Sequence, residues 1–294
     1  MLLVSASLNG KRCWLAVVGR KYVQGVVVVI VSGGRRAPKL SSRSSCATIP
    51  QHMELYIIRH AQSTNNALPD ERARVCDPHL TEIGRRQAEL LAAHLATGRD
   101  LHPQPTRAWN VPPSPNGHGG YGIQRLYASA MRRALQTAWP IGQALGLQPE
   151  VWLDIHEHGG IWLDHGEGVG IKGYGGITRA ELAAEFPGVM APEEITGAGW
   201  WRGSNEELAA AEARAARVAE MLRGWGQRDE KTAIITHGAF ATFLLRALLG
   251  EQAAQPVFYH LDNTSISLVR FRRNNELSVR YLNRLDHLPA ELIT

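Results

Sequence analysis

The 294-residue chain places reactive side chains at four points where an apolar run gives way to polar residues. "LYIIRHAQSTNN" (Leu55–Asn66) ends its run of Leu, Tyr, Ile and Ile in Arg59 and His60, and Asn66 follows the arginine by seven positions. "SAMRRALQTA" presents Arg132 and Arg133, "DIHEHGG" holds Asp154, His156, Glu157 and His158, and "THGAF" holds His237 and Gly238. Guanidiniums are planar forks matched to phosphate oxygens. A neutral imidazole is a competent nucleophile, and a carboxylate beside it can give and take a proton. Together these groups suit phosphoryl transfer, which asks mainly for positioning and for stabilisation of the equatorial oxygens. Each fragment alone also has a plainer reading: an Arg-His pair opening a loop, a solvated helix arginine, a histidine cap.

What gives the fragments weight is the elements that carry them. "MELYII" reads as a buried strand, and "LTEIGRRQAELLAAHL" as a helix capped by Thr81, with an apolar face through Ala88, Leu91, Ala92 and Leu95. Gly98 to Arg125 is rich in Pro and Gly and reads as a surface excursion. "RLYAS" is a second strand, "AMRRALQTAWPIGQAL" a helix open to kinking at Pro140, and "PEVWL" a third strand. Gly159 to Gly203 reads as an inserted cap with one embedded helix, "TRAELAAEF". "SNEELAAAEARAARVAEMLRGW" opens on a capping-box pattern, Ser204 and Glu207. "TAIIT" is a strand, "GAFATFLLRALLG" a helix, and "NTSISLVRF" and "LSVRYL" are closing strands.

This alternation predicts an α/β fold, a three-layer α/β/α sandwich with a mostly parallel sheet and an inserted cap region. Ligands of such sheets bind outside the carboxyl ends of the strands. Arg59, His60, Ser129, Arg133 and His237 all fall there. Arg133 would lie in the first turn of its helix, and His237 at a helix start beside free backbone N–H groups.

From Met53 to about Arg270 the chain resembles the histidine phosphatase superfamily, also called phosphoglycerate-mutase-like. "LYIIRHAQSTNN" is similar to that family's opening Arg-His-Gly motif, "LTEIGRRQA" and "SAMRRALQTA" to its next two signatures, and "IITHGAF" to its late His-Gly. The resemblance implies that His60 is the nucleophile and Glu157 the proton donor. It places Arg59, Asn66, Arg133 and His237, with Gly238, in the phosphate pocket. It selects Arg133 over Arg132, which does not occupy the matching slot before "ALQTA", and Glu157 over its neighbours. The implied activity is a metal-independent phosphatase acting on a small-molecule phosphate ester, with no cofactor. A mutase with the same pocket is the alternative, and a non-catalytic phosphate-binding scaffold a third reading. The family's mutases carry extra basic residues in the insert after the glutamate, whereas here it holds only Lys172, Arg179 and Arg202. Ala61 replaces the usual glycine, which matters only if that position needs a positive φ.

Two other patterns compete. His156, His158 and His165 could be a metal set, but spacing fixes no third ligand, and exposed histidines are the simpler account. "GVGIKG" (Gly168–Gly173) matches a nucleotide-loop pattern but follows no strand and opens no helix, so an ordered loop or a lid is the expectation. Trp200 and Trp201 are expected to pack structurally.

Bulk properties narrow the field further. Residues 1–52 carry eight basic side chains and no acidic one, leaving 24 of the 32 basic residues against all 27 acidic ones in the remainder. The net charge of +5 therefore belongs to the extension and points to no nucleic-acid partner. No run reaches the ~18 apolar residues of a membrane span, so no membrane association is expected. Cys13, Cys46 and Cys76 fit a reducing, cytoplasmic location. The basic, serine-rich residues 1–52 read as a presequence, which would imply an organelle, as an ordered segment, or as an extension upstream of a start at Met53. Residues 53–294 form the histidine phosphatase-like domain.

Overall fold

A computed structural model describes residues 2–8, 11–17, 53–98, 120–251, 256–272 and 276–294. The serine-rich stretch and residues 99–119 of the excursion lie outside them. The chain divides into two compact units, Met1–Ile49 and Pro50–Thr294. In the first, β1 (Leu2–Leu8) and β2 (Lys11–Val17) pair antiparallel, Leu2 opposite Val17 and Leu8 opposite Lys11. Of the readings open for residues 1–52, the described strands are those of an ordered segment over residues 2–8 and 11–17.

In the second unit the expected α/β alternation is present. It runs β3 (Met53–Arg59), α1 (Glu82–Thr97), β4 (Arg125–Ala128), α2 (Arg132–Leu145), β5 (Glu150–Val151), β6 (Trp162–Asp164), β7 (Ile171–Gly173), α3 (Arg179–Glu185), α4 (Leu208–Trp225), β8 (Lys231–Thr236), α5 (Gly238–Leu249), β9 (Ile266–Phe271) and β10 (Leu277–Arg284). Six of these strands form one sheet in the order β10-β9-β3-β8-β4-β5. β3, β8, β4 and β5 run parallel, while the closing pair β9 and β10 is antiparallel. β3 is central, with Ile57 opposite Ile234 of β8 and Ser267 of β9.

Period-two alternation along the strands sorts their side chains onto two faces. Tyr56 and Ile58 of β3 join Ala233 and Ile235 of β8 under α1 and α2. Leu55, Ile57 and Ile234 face Ala215, Val218 and Leu222 of α4 and Leu244 and Leu245 of α5. At the start of β3, buried Glu54 ties three strands together, 3.1 Å from Lys231 Nζ and 2.6 Å from Arg270 Nη2. Ile161, Ile177, Leu182, Phe186, Ile195 and Trp200 of the inserted region enter the α1–α2 core, so the insert is packed into the domain.

Thr81 caps α1 as expected, its side chain accepting from Gly84 N–H. The capping box expected at Ser204 and Glu207 is not formed: α4 begins after Glu207, which makes no side-chain cap bond. The glutamate before it, Glu206, is instead held by Arg214 at 2.6 Å. A capping box does open α3, between Thr178 and Glu181. The third strand is shorter than expected, two residues running into a 3-10 turn at Leu153–Ile155. The Gly168–Gly173 pattern belongs to the β6–β7 hairpin, where Gly166, Gly168 and Gly170 all have positive φ.

Because β3 delivers Arg59 and His60, its burial is the first requirement of the site. Replacing Ile57 by Ala is expected to cost about 2–5 kcal/mol, read in urea unfolding as a lower midpoint at unchanged slope. Ile57→Val should cost about 1 kcal/mol.

Candidate active site

The site assembles where β3, β4 and β8 end. β3 stops at Arg59, and the backbone N–H of His60 still donates to Thr236 O of β8 at 2.8 Å. The next residue is released from the sheet: Ala61 N–H donates to Thr137 Oγ1 of α2 at 3.0 Å. Ala61 is not among the residues with positive φ, so alanine is tolerated there without strain.

The His60 ring is buried, and its two nitrogens have different partners. Nδ1 lies 2.7 Å from Ala61 O, and since a carbonyl can only accept, Nδ1 carries the proton. Nε2 then holds the lone pair, and Arg133 Nε donates to it at 3.1 Å. Burial pushes the His60 pKa well below the ordinary histidine value, and the charges of Arg133 and Arg59 push the same way. The imidazole is therefore neutral at neutral pH.

His237 completes the floor, fully buried with its ring 4.9 Å from that of His60. Its Nε2 lies 2.8 Å from Ser129 Oγ at the end of β4, and its buried Nδ1 has no partner. Burial, then Arg133 and His60, drives this pKa well down too. Arg59 anchors one end of its guanidinium on Leu261 O at 2.5 Å and leaves Nε unpaired. Burial lowers the pKa of both arginines; Glu157 opposes this for each, joined by Asp262 for Arg59 and by Asp77 for Arg133. Arg132, adjacent in sequence, turns away and pairs with Glu185 and Glu181 of α3.

Glu157 reaches the N-terminus of α5. Its carboxylate accepts from Phe240 N–H at 2.9 Å, from Ala239 N–H at 3.4 Å and from His158 N–H at 3.0 Å. The helix-start N–H groups expected to be free beside His237 are thus taken by Glu157. A carboxylate at a helix N-terminus is favoured by both the bonds and the dipole. Gly238 sits against Arg59, its side-chain position 3.6 Å from Arg59 Nε. Asn66 is exposed in a 3-10 turn, where its Oδ1 accepts from Ser63 N–H at 3.0 Å. With that oxygen committed, Nδ2 is what it can offer a ligand.

The three histidines do not act together. Contrary to the expectation of exposed rings, His156 is buried against Trp200 and Trp201. His158 packs edge-on to Phe243, and His165 pairs with Tyr174 OH at 2.6 Å. Among the described residues no group of three His, Cys, Asp or Glu side chains is arranged to hold a metal.

Sequence reasoning missed the brace behind Glu157. Arg214 of α4 is buried, with Nη1 donating to Asp154 O at 2.7 Å and His156 O at 2.9 Å. Its other face pairs with Glu206 at 2.6 and 2.9 Å. The segment carrying Glu157 is thereby fixed from behind. A signal did exist: Ala211, Arg214, Ala215, Val218, Ala219 and Leu222 form the buried stripe of α4, and the arginine stands inside it.

The model of the histidine phosphatase superfamily (branch 1) matches residues 55–103 and 118–284, and the chain belongs to that family. It is 24% identical over 243 residues to phosphoserine phosphatase 1 of Hydrogenobacter thermophilus, covering 80% of this chain and 94% of that one. Among solved structures it is similar to phosphoserine phosphatase of Entamoeba histolytica in complex with phosphoserine, at 20% identity and a TM-score of 0.49 over 81% of this chain and 100% of the other. A mycobacterial glucosyl-3-phosphoglycerate phosphatase matches at 20% identity and a TM-score of 0.46, over 78% of this chain and 98% of its own.

The Glu206–Arg214 pair makes the brace pH-dependent. Although burial opposes it, the hydrogen bonds and charge of Arg214, with His156 3.7 Å away, hold the Glu206 pKa at about 2, against 4.5 in the unfolded chain. The contribution to stability, on the order of 1 kcal/mol once solvent screening is counted, is complete above pH 4.5 and is lost as pH falls towards 2. Urea unfolding of the native protein and Glu206→Gln should therefore differ by a constant amount above pH 4.5 and converge below it. A difference that persists unchanged to pH 2 would contradict the assignment.

Proposed function

We propose that this protein is a metal-independent phosphatase that hydrolyses a small phosphomonoester through a phosphohistidine on His60. The observation that carries this reading is the tautomer of His60. With Nδ1–H held by Ala61 O, the Nε2 lone pair faces Arg133 in a pocket that keeps the ring neutral.

In the proposed cycle the substrate phosphoryl group lies between Arg59 and Arg133, and its equatorial oxygens take the N–H groups of both. Arg133 Nε exchanges His60 Nε2 for an oxygen. The lone pair so released attacks phosphorus while the P–O bond to the leaving group breaks. Glu157, entering as the acid, gives its proton to the departing oxygen, so the products of this step are an alcohol and phosphohistidine. Glu157 as carboxylate then takes a proton from water, whose oxygen attacks phosphorus and breaks the P–N bond. Inorganic phosphate leaves, and neutral His60 is restored. His237 Nδ1 is available to the oxygens throughout. The dianionic charge that makes uncatalysed hydrolysis so slow is met by two guanidiniums, so the chemistry asks for no metal.

Hydrolysis is favoured over mutase chemistry by the insert. Arg179 donates to Ile195 O at 2.8 Å and also to Pro192 O, while Arg202 is spent on Ala198 O, Gly199 O and Thr196 Oγ1. Both are engaged within the insert itself and are not free to retain a phosphorylated intermediate through two transfers.

Turnover of an aryl phosphate in excess chelator tests the proposal. The native protein should be active, His60→Ala should fall to background, and Glu157→Gln should lose about 10²–10⁴-fold in kcat. Equal activity in native protein and His60→Ala would remove His60 from the mechanism.

A further inference from the structure

The backbone of His60–Gln62 is held by a ring of hydrogen bonds through Asn263, Thr294 and Gln87, residues the proposed mechanism does not use. Asn263 is buried in the loop before β9 and donates its Nδ2 to the backbone carbonyl of His60 at 2.8 Å. The same amide lies 3.5 Å from Asn66 Oδ1. Its Oδ1 accepts from the hydroxyl of Thr294 at 3.2 Å, and its backbone N–H donates to Thr294 O at 2.9 Å. That hydroxyl in turn accepts from Gln87 Nε2 of α1 at 2.9 Å. Gln87, fully buried, gives its other amide hydrogen to Leu292 O at 2.7 Å and accepts from Gln62 N–H at 2.8 Å. The ring thus closes around the His60–Gln62 backbone, gripping it at the carbonyl of His60 and the N–H of Gln62.

Next to Asn263 stands Thr264 with φ of 60°, a conformation that a β-branched residue rarely adopts. That turn aims the Thr264 N–H at both Arg59 O and His60 O, at 3.1 and 3.3 Å. Backbone strain of this kind persists only where its surroundings over-determine it, as at functional sites. Thr294 is exposed as a residue, and its hydroxyl joins the two halves of the ring through part-buried bonds to Gln87 and Asn263.

We infer that residues 292–294 are a strap that positions the nucleophile, with Thr294 linking Asn263 and Gln87 so that the His60–Gln62 backbone is held from both ends. Asn263, Gln87 and Thr294 are positioning residues: each acts on the reaction only through His60. The inference rests on the assignment of His60 as nucleophile for its kinetic consequence, but not for its structural one. His60 projects its lone pair correctly only while its own backbone, and the Ala61 carbonyl that fixes its tautomer, stay in place. A displacement near 1 Å in such a group costs up to about a hundredfold in rate.

The test is Thr294→Val, which keeps the shape and removes the hydroxyl, with exposed Thr97→Val on α1 as a control for a general loss of stability. Two readouts are taken on the full chain: the His60 ring nitrogen signals by NMR, and steady-state hydrolysis of an aryl phosphate. In Thr294→Val the Nδ1–H signature of His60 is expected to shift or broaden, while Thr97→Val leaves it at the native position. kcat should fall about tenfold with KM within about twofold. Gln87→Leu should give a similar loss, and the double variant little more than either single change, since both open one ring. An unmoved His60 signal in Thr294→Val overturns the strap, whether or not the protein hydrolyses the aryl phosphate. So does a kcat loss that Thr97→Val reproduces. A native protein without His60-dependent turnover would instead defeat the phosphatase reading, while the NMR result would still decide the strap.

Discussion

The contact on which the site depends is the hydrogen bond from Arg133 Nε to His60 Nε2. It requires a half-buried guanidinium to stand beside a buried, unprotonated imidazole, an arrangement that water would ordinarily disrupt by protonating the ring. Here the same burial that penalises the cation also penalises a charged imidazole, so the pair settles with one charge. The site is then positively charged and lined by N–H donors, which suits an anion with several acceptor oxygens. Against the cost of burial, Glu157 and Asp262 favour the charged form of Arg59, and Asp77 and Glu157 that of Arg133.

Holding such a pocket open is work for the rest of the domain. The central position of β3 fixes Arg59 and His60 between two hydrogen-bonded neighbours, and the Glu54 cluster pins the strand at its far end. α2 contributes Arg133 from its first turn and Thr137 one turn later, so one helix orients both the ring and the backbone beside it. Arg214 does the equivalent for the Glu157 segment from α4, and its guanidinium stacks on Phe240 at 4.6 Å. The helices on the two sides of the sheet thus each send one arginine towards the site, half-buried Arg133 from α2 and buried Arg214 from α4.

How much of this the sequence announces depends on whether a residue's role is local. Strand ends, helix faces and the Thr81 cap are decided by neighbours within a few positions, and they were legible. Arg133 and Arg132 differ by one step on a helix, 100° of rotation, and periodicity alone could not choose between them; the family slot could. The false capping box at Ser204 shows the opposite case. The local pattern was adequate, but the carboxylate of the preceding Glu206 had a stronger partner eight residues on, and the helix start moved with it. Asn263 was invisible because a single amide in a polar stretch carries no period, and its partner His60 lies 203 positions away. Gln87 stands inside the buried stripe of α1 and was legible in principle, though its partner Gln62 lies 25 positions away. Arg214 was legible in principle, as a charge inside an apolar stripe.

Glu157 shows how local stability and proposed chemistry can share one side chain. Its carboxylate supplies the cap that α5 lacks from its own N-cap residue, His237, which makes no side-chain cap bond. Backbone N–H groups bind an anionic carboxylate more strongly than a neutral acid. In the proposed cycle, the bonds to Phe240 and Ala239 would therefore tighten as the proton passes to the leaving oxygen. The same step closes the cap of the helix that presents Gly238 to Arg59. On the proposed cycle, helix α5 would be most firmly anchored while phosphate is bonded to His60, the stage at which the pocket would have to exclude every nucleophile but one water.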